Sequence, residues 1–202
     1  GIDWGKIDVG TFSWQKALGG EGGHGMLVLG PRAVERLERE PAGRPLPKIF
    51  RLAKSGALID GLFRGETINT PSMLAVEDWL VALDWAERAG GLDALVARAD
   101  SNAAALDRWV QCAGWAEHLA ADPAIRSNTS VCLRFSDRSD EAANGARQKA
   151  MVKLLEAEAA AYDVGAYRDA PPGLRVWCGA TVDTADIEAL GPWLDWAWEM
   201  TA

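Results

Sequence analysis

The sequence has 202 residues, enough to bury a sizeable core as one large domain or two small ones. Hydrophobic residues make up 49% and charged residues 25%, an ordinary globular balance, and the formal net charge of −8 excludes a broad nucleic-acid or anionic-membrane surface. No apolar run approaches bilayer-spanning length and no stretch reads as a signal peptide. The three cysteines, Cys112, Cys132 and Cys178, have no CxxC spacing and read as reduced thiols of a cytoplasmic protein.

Along the chain, Ile7 to Trp14 has strand character and Met26 to Gly30 is a second, fully apolar strand. Pro31 suits the first turn of a helix, PRAVERLERE, with Val34 and Leu37 on one face. From Pro41 to Gly65 there is no sustained period, and prolines and glycines mark a long loop of the kind that is functional or lies at an interface. A helix then opens with Thr70 as cap and Pro71 at its first position, and Met73, Val76, Leu80 and Leu83 form its apolar stripe. Gly90 and Gly91 end it. A second long helix turns Leu92, Leu95, Ala99, Ala103, Leu106 and Val110 inward, in a region that ends at Asp122-Pro123.

A smaller α/β unit follows. It comprises a strand over Thr129 to Phe135, a helix over Asp140 to Ala161, a strand YDVGAY, a tight turn at 170–173 and a strand LRVWCGA. The last helix, Thr184 to Met200, is expected to break at Pro192. The division is placed at 1–105 and 106–202.

Three stretches carry chemistry. In SWQKALGGEGGHG, Lys16 follows Gln15 and precedes five glycines. A lysine is a nucleophile only when neutral, and glycines let backbone N–H groups approach a phosphate. Taken locally, a solvated lysine beside a flexible turn is the simpler reading. In GETINTPS, Asn69 and Thr70 sit where a helix start favours phosphate, or where Thr70 is a plain cap. In AYRDAPPGLRVWCGAT, Arg168 and Arg175 flank a rigid turn and could clamp a doubly anionic substrate, or Arg168 could pair with Asp169. His24 and His118 have no partner at metal spacing, so no metal is expected, and Cys178 reads as a buried, inert thiol.

In this order, SWQK–LGGEGGHGML, GETINTPSML and AYRDAPPGLRVWCGAT closely resemble the phosphoserine aminotransferases, of the branch common in alphaproteobacteria and some archaea. PKIFRL, NTPSML and DPAIRSNTSVCL add to the likeness, which runs from Gly1 to about Trp196. These are class V members of the fold-type-I pyridoxal-phosphate enzymes. The resemblance implies an α/β fold, the C-terminal portion of such a transferase, with part of the large mixed-sheet domain and a small α/β domain. It implies that Lys16 holds pyridoxal phosphate covalently and then moves a proton, with Gln15 beside the cofactor phosphate. Asn69 and Thr70 would reach across a homodimer interface to the partner's cofactor phosphate. Arg175 would bind the substrate α-carboxylate and Arg168 would help bind its phosphate. The implied reaction converts phosphoserine and 2-oxoglutarate to 3-phosphohydroxypyruvate and glutamate, in serine biosynthesis.

Family members are roughly twice this length, as suits a two-domain enzyme. The chain starts at Gly1 and is within a dozen residues already strand-like, so it reads as the C-terminal part of the enzyme. The aspartate for the pyridine nitrogen, the aromatic stacked on the ring and the glycine-rich phosphate loop are expected to precede it. Asp3 and Asp8 lie too close to Lys16 along one strand to substitute. The 202-residue piece alone is expected to be inactive. Alternatives are another class V enzyme, such as a serine– or alanine–glyoxylate aminotransferase or a cysteine desulfurase, or an inactive dimerisation fragment.

Overall fold

The computed structural model describes residues 2–40 and 43–202; Gly1, and Pro41 at the head of the expected loop, lie outside the described residues. The chain divides into two compact units, Gly1–Leu83 and Asp84–Ala202. The division falls before residue 105 because the long helix that starts at Gly91 packs on elements of the second unit.

In the first unit, β1 (Val9–Ser13) and β2 (Gly25–Leu29) pair antiparallel, from Val9 opposite Leu29 to Ser13 opposite Gly25. Both strands follow from the β-prone runs. Phe12, Met26, Leu27 and Val28 nonetheless stay exposed, since a two-stranded ribbon has no second layer of its own to cover it. Helix α1 (Pro31–Arg39) opens on its proline and half-buries Val34 and Leu37. Within the expected loop lies a small hairpin, β3 (Ala53–Lys54) with β4 (Ala57–Leu58), turned by Ser55 and Gly56 at φ 54° and 78°.

Helix α2 (Met73–Arg88) differs from expectation at its start and in its face. Ser72 caps it, its hydroxyl accepting from the Ala75 N–H at 3.4 Å. Pro71 therefore precedes the helix, and Thr70 lies outside it. A cap at Ser72 leaves the proline, which has no N–H, where no donor is needed. Ala75 and Ala86 are buried and Val76, Trp79 and Ala82 half-buried, whereas Met73, Leu80 and Leu83 are exposed. Leu74 and Val81 make this helix apolar on more than one side, so period alone cannot choose its buried face.

The second unit consists of α3 (Gly91–Ala113), β5 (Ala116–His118), β6 (Ser130–Phe135), α4 (Glu141–Ala157), β7 (Gly173–Trp177) and α5 (Thr184–Glu199). The sheet order is β5-β6-β7, antiparallel throughout, with Cys132 opposite Arg175. Alternate residues of β6, Val131, Leu133 and Phe135, enter a core shared with Leu106, Met151, Leu155 and Leu194. Gly173 is fixed by close approach: a Cβ there would fall 2.0 Å from the Leu133 carbonyl oxygen. On the tryptophan-rich side, Asp195 accepts from the indole N–H groups of Trp109 at 3.0 Å and Trp115 at 2.9 Å.

Four expectations change here. β5 is an additional strand between α3 and Asp122. YDVGAY makes only a single bridge, Gly165 to Leu174, because Asp163 turns the backbone to φ 53°. Leu92, at the mouth of α3, is 74% exposed and does not face inward. Helix α5 runs unbroken through Pro192. Pro192 and Glu188 are both exposed residues, so the carbonyl that the proline cannot serve need not be satisfied by the protein. No helix among the described residues is long and apolar enough to cross a membrane.

Candidate active site

Lys16 lies in the connection between β1 and β2. The Trp14 N–H donates to the His24 carbonyl at 3.1 Å, which closes the base of the loop. The Gly20 N–H returns to the Trp14 carbonyl at 3.0 Å and the Gly19 N–H to that of Lys16 at 3.1 Å, so the lysine sits on a tight turn. Gly19 supplies that turn at φ 66°. Lys16 and Gln15 are both exposed. This chain's own residues do not withdraw the Lys16 amine from water. Gln15 lies over the loop instead: a Cβ at Gly22 would meet its amide oxygen at 2.5 Å.

The ring of Trp14 stacks with two others. His24 lies 5.4 Å from it at 20° and Trp79 lies 5.0 Å from it at 9°. The Trp14 Nε1 and His24 Nδ1 atoms are buried with no hydrogen-bond partner. Asp78, beside Trp79 on α2, accepts from the Glu21 N–H at 3.1 Å. Sequence reasoning weighed His24 only as a metal ligand and did not single out Trp14, Asp78 or Trp79. The available signal was a tryptophan two residues before the lysine. Asn69 and Thr70 are exposed in the irregular stretch that leads into α2.

In the second unit, Arg175 on β7 and Arg168 before the Pro171-Pro172 turn are placed differently. Arg175 donates through Nη2 to the Asp163 carboxylate at 2.5 Å and to the Asp163 carbonyl at 3.1 Å. Its guanidinium carbon stands 4.6 Å from the centre of the Tyr167 ring. The Tyr167 hydroxyl in turn meets the Ser130 hydroxyl at 3.1 Å. That hydrogen bond, with the adjacent Arg175 cation, holds the Tyr167 phenol below its ordinary pKa. Arg175 Nε is buried without a partner, so the fork is only partly used. Arg168 is exposed. The ion pair of this stretch is Arg175 with Asp163 and not Arg168 with Asp169. Asp163 and Tyr167 were not anticipated, since the contact depends on the left-handed turn at Asp163.

No family model matches the chain. Among curated proteins, the phosphoserine aminotransferase of Methanosarcina mazei is 53% identical over 199 residues, covering 98% of this chain and 52% of that protein. The Methanosarcina barkeri phosphoserine aminotransferase is 54% identical with the same coverage. The chain thus spans about half the length of the curated relatives it matches. In fold it is like the phosphoserine aminotransferase of Bacillus circulans subsp. alkalophilus, with a TM-score of 0.69, 19% identity, and coverage of 100% of this chain and 50% of that one. It is also like the pyridoxal-phosphate-bound phosphoserine aminotransferase of Trichomonas vaginalis, at a TM-score of 0.73, 16% identity and coverage of 96% and 49%.

Proposed function

We infer that this chain, which belongs in sequence with the phosphoserine aminotransferases and spans about half their length, is part of an enzyme that exchanges an amino group between phosphoserine and 2-oxoglutarate. The observation that supports this reading is 53% sequence identity to the Methanosarcina mazei phosphoserine aminotransferase, sustained over 199 residues, nearly the whole chain.

The residues present fit pyridoxal phosphate in the chemistry of their donors. Lys16 offers an exposed primary amine on a tight turn, and Gln15, Asn69 and Thr70 offer amide and hydroxyl groups suited to a phosphate. When bound, the cofactor would supply a carbonyl carbon that takes up the amino group and passes it on, and a sink for electrons released at the substrate Cα. Lys16 would hold the cofactor and would move the proton on and off the substrate Cα, work that requires its amine neutral, a state that withdrawal from water favours. Its exposure in this chain means that other parts of the enzyme must exclude the water. We assign that part to the half of the relatives' length that this chain does not span, together with a partner subunit in a homodimer. Asn69 and Thr70 would reach the cofactor phosphate across that interface. Alone, the 202-residue chain is inactive.

Arg175 binds the α-carboxylate common to phosphoserine, glutamate and their keto acids, and Arg168 adds charge for the distal phosphate or carboxylate. Tyr167 and Asp163 hold the Arg175 fork in place. One arginine held by neighbours and one exposed arginine suit substrates that share one anionic end and differ at the other. The setting is serine biosynthesis in the cytoplasm, consistent with three free thiols.

Two measurements on the whole protein test the reading. Borohydride reduction with pyridoxal phosphate should place the adduct on Lys16, and coupled assays should show phosphoserine transaminated in preference to alanine or serine. An adduct elsewhere removes Lys16, and a preference for alanine or serine overturns the substrate.

A further inference from the structure

We propose that α2 is a positioning element for Lys16, acting through Trp79 and Asp78; this rests on the reading of Lys16 as the cofactor lysine. The loop from Trp14 to His24 is rich in glycine, and Gly23, at φ 87°, has no atom within 4 Å of where a Cβ would stand. Such a loop has little of its own to hold a lysine in one place. Beyond the hydrogen bonds within the loop itself, it is tied to α2 at one point before Lys16 and at one point after it. Both ties end on adjacent residues of one helix.

Before the lysine, the Trp14 ring stacks on Trp79 at 5.0 Å and 9°, and also stacks with His24 at 5.4 Å and 20°. The three rings form a short stack, and the Trp14 N–H to His24 carbonyl bond joins its loop members at the backbone. After the lysine, the Asp78 carboxylate accepts the Glu21 N–H at 3.1 Å. The two anchors fit closely at Gly20, where a Cβ would stand 3.2 Å from the Trp14 carbonyl and 3.5 Å from Asp78 Oδ2. A side chain at Gly20 would crowd the gap between them. The loop therefore follows α2, and α2 begins directly after the stretch that carries Asn69 and Thr70. One helix fixes the lysine's turn and the approach of the phosphate-binding pair. Trp79 and Asp78 touch no reacting atom in this scheme; they act through the loop.

The test uses the whole protein with three variants, Trp79→Ala, Trp79→Phe and Asp78→Ala. Amide hydrogen exchange over residues 14–25 is read without cofactor, and the rate of borohydride-trapped pyridoxal phosphate at Lys16 is read with it. Trp79→Ala and Asp78→Ala should speed the loop's exchange and slow trapping by about tenfold or more, since a misplacement of about 1 Å can cost that much. Trp79→Phe keeps an aromatic face and should return both readings towards wild type. Exchange and trapping unchanged in both alanine variants overturn the proposal, as does a phenylalanine variant no better than alanine. Wild-type protein that traps no cofactor at Lys16 sinks the functional reading, while the exchange difference by itself still decides whether α2 holds the loop.

Discussion

The Thr184 hydroxyl donates to the Asn102 amide oxygen at 2.7 Å. The Asn102 amide nitrogen in turn faces the carbonyls of Cys178, Gly179 and Val182 at 3.3, 3.2 and 3.0 Å. Asn102 is fully buried on α3, so one side chain serves the backbone that leads from β7 into α5. Asn102→Ala leaves those carbonyls and the hydroxyl dry and should lower unfolding stability by about 2–4 kcal/mol. Chemical unfolding of the variant measures this. A loss under about 0.5 kcal/mol would show that water or a shifted loop replaces the amide without cost.

Much of the second unit was legible in the sequence. β6 alternates apolar and polar residues over a run bounded by turn residues, and α4 begins at Asp140, whose carboxylate accepts the Ala143 N–H at 2.9 Å. What the sequence hid has physical causes. The face of α2 depends on Trp79 meeting Trp14, a contact between residues far apart in the chain. Helix α5 survives Pro192 because the affected turn faces water, a property of packing and not of local propensity. At the site, residue types and their order pointed to Lys16, Asn69, Thr70 and Arg175, but only through family resemblance. The residues that hold them, Asp78, Asp163 and Tyr167, belong to no spacing rule.

Arg175 is held by Asp163 while its Nε–H stays buried and unpaired, so its charge and planar fork stand ready in one place. In the whole protein, Arg175→Ala should raise KM for both the amino and the keto substrate, at a total loss of about 2–5 kcal/mol in transition-state binding. Arg175→Lys keeps the charge without the fork and should recover only part of it. Steady-state kinetics with phosphoserine and with 2-oxoglutarate decide the matter. Kinetics unchanged for both would remove Arg175 from the site.

Glu117 on β5 joins two arginines: Arg138 and, at 2.8 Å, Arg134 on β6. The Arg138 hydrogen bond, with the charge and hydrogen bond of Arg134, holds the Glu117 carboxyl below its ordinary pKa. A carboxyl with a depressed folded-state pKa contributes stability above its unfolded pKa and loses it as pH falls through the folded value. The melting temperature of Glu117→Gln should therefore lie below wild type near neutral pH. The gap should close as pH falls through and below the ordinary glutamate value of about 4.3, and should shrink with salt at neutral pH. A gap that widens towards acid would contradict the sign.

Cys178 follows β7 and is wholly buried, and burial pushes its thiol up to about 12. A thiol in that state has almost no thiolate at neutral pH and no access to a substrate, so it cannot serve as the mobile nucleophile of a desulfurase. Cys112 is exposed. Iodoacetamide at neutral pH should thus alkylate Cys112 in the native protein and leave Cys178 untouched until denaturant is added. Peptide mass spectrometry reads both sites in one experiment. Native labelling of Cys178 at a rate comparable to Cys112 would reopen the desulfurase chemistry, because it would require β7 and the Asn102-bound loop to open in the folded protein.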